Sequence, residues 1–126
     1  MHDQPSVSEL VQAVKNFVDE TAMPQLEGRA GFHARVASNV LATILRDLEA
    51  RTDNDEQEKT RLLRLLKNEA VSEDLSELNS QLQEKIRSGD FGIDSVPLME
   101  HLKKTAIAQL KVDQPNYSAL ATALKE

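Results

Sequence analysis

From Val7 to Leu124 the apolar residues of this chain recur at spacings of three and four, and nowhere do they alternate as a half-buried strand requires. That periodicity commits the chain to helices. Ser6 and Glu9 form a capping-box pair ahead of Val7, Leu10, Val11, Val14, Phe17 and Val18, a narrow stripe predicting a helix to about Thr21 or Ala22. Met23-Pro24 interrupts it, and Pro24 is placed to open a second helix, because a first-turn residue needs no amide proton. Gly28 and Gly31 allow a later start near Ala30, but Leu26 shares a stripe with Ile44, which favours Pro24. This helix runs to about Arg51 and is the expected spine. Thr52-Asp53-Asn54-Asp55 reads as a polar turn, followed by a third helix to about Asn68 built on Leu62, Leu63, Leu65 and Leu66. A fourth starts near Ser72 to Asp74, shows Leu75, Leu78, Leu82 and Ile86 on one face, and stops at Ser88-Gly89. After a loop from Asp90 to Val96, Pro97 opens a fifth helix capped by Asp94 or Ser95, with Leu98, Leu102, Ala106 and Leu110 expected inward. A short helix from Tyr117 to Leu124 follows Gln114-Pro115-Asn116. The expected fold is all-α: one domain over residues 1–126, a single antiparallel bundle of five main helices plus a short C-terminal helix, its loops short enough for antiparallel neighbours.

Composition narrows the function. With no cysteine there is no disulfide framework, thiolate zinc site or cysteine nucleophile, which fits a reducing cytoplasm. The start MHDQPSVSEL lacks the basic and apolar regions of a signal peptide, and no apolar run reaches the roughly 18 to 20 residues of a membrane span. A net charge of −6, no Trp, one Tyr and three Phe disfavour nucleic acid, whose binders present a basic face with stacking side chains. Few aromatics also make an aromatic-lined pocket less expected.

Familiar chemical constellations fail on spacing. Asp53-Asn54-Asp55-Glu56-Gln57 opens like a calcium loop, but Glu58 stands where glycine is needed and Arg64 where a bidentate carboxylate is needed. Neither His33 nor His101 has a glutamate three residues earlier, and Glu100 points about 100° away from its neighbour His101, so no metal site is expected. Gly28-Arg29-Ala30-Gly31 lacks the strand and lysine of a phosphate loop, and no nucleophile elbow occurs.

One segment stands out, Glu27 to Asn39. On a helical projection Phe32, Val36, Val40, Ile44 and Leu48 form a continuous apolar arc, with Arg29 and His33 inside it and Asn39 on its edge. Two readings stay open. Arg29, His33 and Arg35 near a helix start are candidates for holding phosphate or carboxylate, although Arg35 lies about 120° from Arg29 and pairs instead with Asn39. Alternatively, Arg29 and His33 are buried and tied to an acceptor such as Glu27, Asn79, Asp113 or the Tyr117 hydroxyl, with Asn79 in a polar network between helices. The second has the stronger physical warrant, since buried charges are usually paired. Leu63, Leu65, Ile107 and Tyr117 are the candidates for an exposed apolar patch.

The stretches MHDQPS, LEGRAGFHARVASN (Leu26 to Asn39) and LKVDQPNYSAL resemble a small bacterial, all-helical domain family of unknown function. The most specific shared motif is GR-x-x-FHARVA, here Gly28 to Ala37. The resemblance implies a gene neighbourhood of aminoglycoside-phosphotransferase-like kinases and acyl-CoA dehydrogenases, and hence an accessory role in acyl-CoA catabolism; it brings no catalytic residues and no cofactor. The expectation is a cytoplasmic, non-catalytic accessory or interaction protein that binds a kinase-like or acyl-CoA dehydrogenase partner. The alternative is a small binding module in which Arg29, His33, Arg35 and Asn39 hold an acyl-CoA or phosphorylated ligand. An enzyme with His33 as general base ranks last, and no sequence feature sets the oligomeric state.

Overall fold

Helices make up all the regular structure among residues 4–125, the residues described by the computed structural model. Met1–Asp3, the start of the first of the three shared stretches and of the segment searched for a signal peptide, lie outside them. Two compact units divide the chain, residues 1–51 and 52–126. No helix among the described residues is long and apolar enough to cross a membrane.

In the first unit, α1 (Val7–Phe17) begins where the Ser6 hydroxyl accepts the Glu9 amide at 3.2 Å. The Glu9 carboxylate accepts from the same hydroxyl at 3.3 Å, so the pair closes on itself through the side chains. The backbone then widens into a π turn over Val18–Ala22 and tightens into a 3-10 turn at Met23–Gln25, where Pro24 sits. Leu26 is extended (φ −111°, ψ 141°) and Gly28 adopts φ 61°, a left-handed conformation that L side chains rarely take. The next helix, α2, therefore starts at Gly28 and not at Pro24. A Cβ on Gly31 would stand 3.0 Å from the Leu26 carbonyl oxygen, so the second glycine of the motif keeps room for the chain to fold back over the helix start.

Helix α2 runs without interruption from Gly28 to Leu66, 39 residues, which corrects the expected turn at Thr52–Asp55 and joins the second and third expected helices into one. The reason is visible in the chain. No glycine or proline occurs between Gly31 and Gly89, and cap-forming residues stop a helix only when the backbone has another reason to leave it. Asp47 and Arg51 form an i,i+4 ion pair just ahead of the supposed break, and the Thr60 hydroxyl donates back to the Glu56 carbonyl at 2.9 Å.

Within the first unit α2 buries Ala34 and Ser38 and half-buries Leu41, Leu45 and Leu48, a stripe of three- and four-residue spacing. The Ser38 hydroxyl donates to Asp19 at 2.5 Å, and Lys15 reaches the same carboxylate at 2.7 Å. Phe32, Val36, Val40 and Ile44 lie on the opposite side of the helix and are exposed. Most of the apolar arc that the periodicity places inward thus faces water, and only its last member, Leu48, joins the half-buried side.

The second unit has a leucine core. Leu62 and Leu66 at the end of α2 cluster with Leu78 and Leu82 of α3 (Leu75–Arg87) and Leu98 of α4 (Val96–Asp113), with Leu63, Leu75 and Phe91 packed around them. A 3-10 turn at Lys67–Glu69 ends α2, Asp74 caps α3 by accepting the Glu77 amide at 3.1 Å, and Gly89 at φ 89° lets the chain leave it. Ser95 caps α4, whose Pro97 stands in the first turn. The Gln81 amide fixes the link before α3, donating to the Glu69 carbonyl at 2.5 Å and accepting from the Val71 amide at 3.1 Å. The Asn79 amide donates to Glu58 at 3.0 Å, so the expected polar pairing of Asn79 exists, but with the later part of α2. On α4 the inward face is Leu98, His101 and Val112, while Leu102 and Ala106 are exposed. The observed stripe is rotated from the expected one by about one residue step, roughly 100°. A final helix, α5 (Ser118–Lys125), buries Leu120.

Candidate functional site

The Gly28–Ala37 motif builds the start of α2. Its residues Arg29 and His33 are exposed and share the outward stripe with Phe32 and Val36. His33 meets Phe32 edge-on, ring centroids 5.7 Å apart. Arg35 and Asn39 are exposed too, one turn apart on the flank of that stripe. The expectation that Arg29 and His33 are buried and paired is therefore corrected: polar residues stand on this arc because the arc is a surface. Asp113, one of the acceptors considered for them, receives the Gln109 amide at 2.7 Å instead. Of the apolar-patch candidates, Leu63, Leu65 and Ile107 are half-buried and only Tyr117 is exposed.

A cavity of about 790 Å³ lies wholly within the second unit. The last turns of α2 supply Arg61, Arg64, Leu65 and Leu66, and the 3-10 turn supplies Lys67 and Glu69. Lys85 comes from the end of α3, Asp90 and Phe91 from the loop, and Pro97, Glu100, His101 and Lys104 from α4. Leu65, Leu66, Phe91 and Pro97 give it apolar walls.

Its polar centre is a contact between α2 and α4. The Arg61 Nε–H donates to His101 Nδ1 at 3.2 Å, and its Nη2 donates to the Thr105 hydroxyl at 3.1 Å. His101 and Thr105 are one turn apart on α4, so one edge of the planar guanidinium is held by a matched pair of acceptors. His101 is only 3 % exposed. Burial, and next the nearby Arg61 charge, hold its pKa below the ordinary 6.5, against a smaller upward pull from the Glu58 carboxylate. An Nδ1 that accepts from Arg61 leaves the ring proton of the neutral imidazole on Nε2. Lys85 is already neutralised: it pairs with Glu69 and stands 3.7 Å from Asp90, and the Glu69 contact above all raises its pKa. Arg61 has no carboxylate partner among the described residues. Chemically this is a cationic, partly apolar hollow suited to binding. Among the described residues no group of three or more His, Asp or Glu stands together as a metal site.

Sequence reasoning passed over both members of this pair. Arg61 stands in the charge-rich run of residues 53–64, whose residue types are those of a solvated face, and His101 lies off the edge of the expected Leu98, Leu102, Ala106 and Leu110 stripe. The signal was present in the spacing of Leu98, His101, Thr105 and Val112, which repeats by three, four and seven.

Among the described residues the structure is all-helical, with an outward apolar motif at the start of α2 and a basic hollow in the second unit. Residues 24–117 match the family described as Domain of unknown function (DUF6285), and the chain belongs to it. The match includes the Gly28–Ala37 motif, Arg61 and His101, while α1 precedes it. No curated protein and no solved structure matches the chain.

Proposed function

We propose that this chain is a non-catalytic interaction module that docks a protein partner on the outward stripe of α2. One observation carries the reading: α2 packs through Ala34 and Ser38 yet carries a second apolar stripe, Phe32, Val36, Val40 and Ile44, in water on its other side. A helix apolar on both sides normally has both covered. These four side chains are 40 to 57 % exposed, and Val7, Leu10, Val14 and Phe17 of α1 are exposed as well. Arg29, Arg35 and Asn39 lie on or beside the stripe, where an acidic rim on the partner would meet them. The partner named by the resemblance is a kinase-like protein or an acyl-CoA dehydrogenase, in the cytoplasm of a bacterium, with the module serving acyl-CoA catabolism. The alternative, an acyl-CoA or phosphorylated ligand held by Arg29, His33, Arg35 and Asn39, uses the same face but needs side chains that splay by about 120° to converge.

The test is co-expression with a kinase-like protein and an acyl-CoA dehydrogenase from the same genome, followed by size-exclusion chromatography with light scattering. The wild-type chain should co-elute with one of them at fixed stoichiometry, and Phe32→Asp combined with Val40→Asp should abolish this with helicity unchanged. Elution of the wild-type chain apart from both, or a complex indifferent to the double substitution, defeats the reading. Direct binding of an acyl-CoA that Arg29→Ala removes would install the alternative.

A further inference from the structure

We infer that the cavity of the second unit is a binding site for a small phosphate monoester with an apolar body, anchored by Arg61. The inference is independent of the docking face on α2.

The guanidinium is the starting point. Its Nε–Nη2 edge is taken by His101 and Thr105, which leaves the Nη1–Nη2 edge, the geometry that receives two oxygens of one anion. The orienting pair consists of neutral acceptors, so it fixes the fork without cancelling its charge. A half-buried arginine held this way, with no carboxylate partner among the described residues, is a positioned cation.

The surroundings specify the anion. Lys85 pairs with Glu69 and stands near Asp90, which leaves one carboxylate over; the other cations of the lining are Arg61, Arg64, Lys67 and Lys104, opposed by Glu100, so the lining carries a net excess of two positive charges. This excess sits in a chain of net charge −6, so it is a local field and not a property of the whole surface. Several cations converging on one hollow favour a head group with two negative charges over a singly charged carboxylate. Leu65, Phe91 and Pro97 then face the body that carries the phosphate, and about 790 Å³ is within the usual range for a small-molecule site. His101 is a positioning residue here: protonating it would set a second donor against the Arg61 Nε–H and release the fork.

Phenyl phosphate is the probe, titrated into the ¹⁵N-labelled full chain, with inorganic phosphate and benzoate alongside. Saturable shifts should centre on the amides of Leu65, Lys67, Phe91 and His101, and both control anions should bind more weakly than phenyl phosphate by about tenfold. Arg61→Gln should weaken phenyl phosphate by about tenfold or more, and Lys104→Gln, an exposed change, by about threefold with a shallower salt dependence. If Arg61→Gln loses helicity, Lys104→Gln carries the test. Acidification below the His101 pKa should weaken phenyl phosphate in the wild type and less so in His101→Gln, a readout that a purely structural histidine would not give. Absence of saturable shifts, shifts centred on the first unit, or full affinity in Lys104→Gln overturns the site. Benzoate binding as tightly as phenyl phosphate overturns the phosphate assignment.

Discussion

The two units use the same kind of residue in opposite ways. Among the described residues 4–51, the buried side chains are Ala34 and Ser38, and most of the large apolar groups stay in water. In residues 52–125 five leucines close into a core, and Val112 and Leu120 are buried as well. Free energy from removing apolar area is therefore concentrated in the second unit, while the first leaves much of its own unrealised. A region built like the first should open locally at lower cost and gain most from being covered. Apolar content alone does not make a core; what matters is whether the small residues or the large ones take the inner face.

The largest test of this contrast is a pair of truncations read by urea unfolding. Leu62→Ala, at a fully buried site, should cost about 3 to 5 kcal/mol, whereas Val40→Ala should stay within about 0.5 kcal/mol of wild type. Equal losses would mean that the outward stripe of α2 is not a free surface. A smaller effect is expected from Ser38→Ala, which removes the link from α2 to Asp19. Amide exchange along α1 and the early part of α2 should quicken roughly fivefold while Leu62 to Leu82 keep their protection. Slowing or quickening of both regions together would show the units opening as one.

The smallest effect is on pH. His101 has a folded pKa below its unfolded 6.5, so on acidification the unfolded chain takes the proton first. Its contribution is present above about pH 6.5 and is lost as pH falls from there through the folded value. Asp19 behaves alike in a lower window: the Lys15 and Ser38 hydrogen bonds lower its pKa from 3.8, so its share persists until still more acid conditions. Melting temperature against pH should decline in two steps, and His101→Gln should flatten the first without touching the second.

Element type was legible in the sequence because period and caps are local: Ser6, Asp74, Ser95 and Gly89 all act where their residue types say they should. Facing was not. Phe32 and Val36 against Ala34 and Ser38 is a choice between two stripes of one helix, and because the inner stripe continues through Leu41, Leu45 and Leu48, both stripes are apolar enough that periodicity alone does not choose. The break placed at Thr52–Asp55 failed for a related reason, since cap propensity marks where a helix could begin and not where a preceding one must stop. Arg61 and His101 stand forty residues apart, and nothing local announces that two helices bring them within a hydrogen bond.

Lys67 ends α2 with φ 53°, a left-handed backbone that for a residue with a Cβ costs roughly 1 kcal/mol or more. Its side chain lines the basic hollow. Position 67 thus sets heat resistance and ligand retention in opposition, since glycine would relax the turn and discharge the wall. Variants selected for survival on heating should accumulate glycine or asparagine there, and variants selected for holding an anion should keep the lysine.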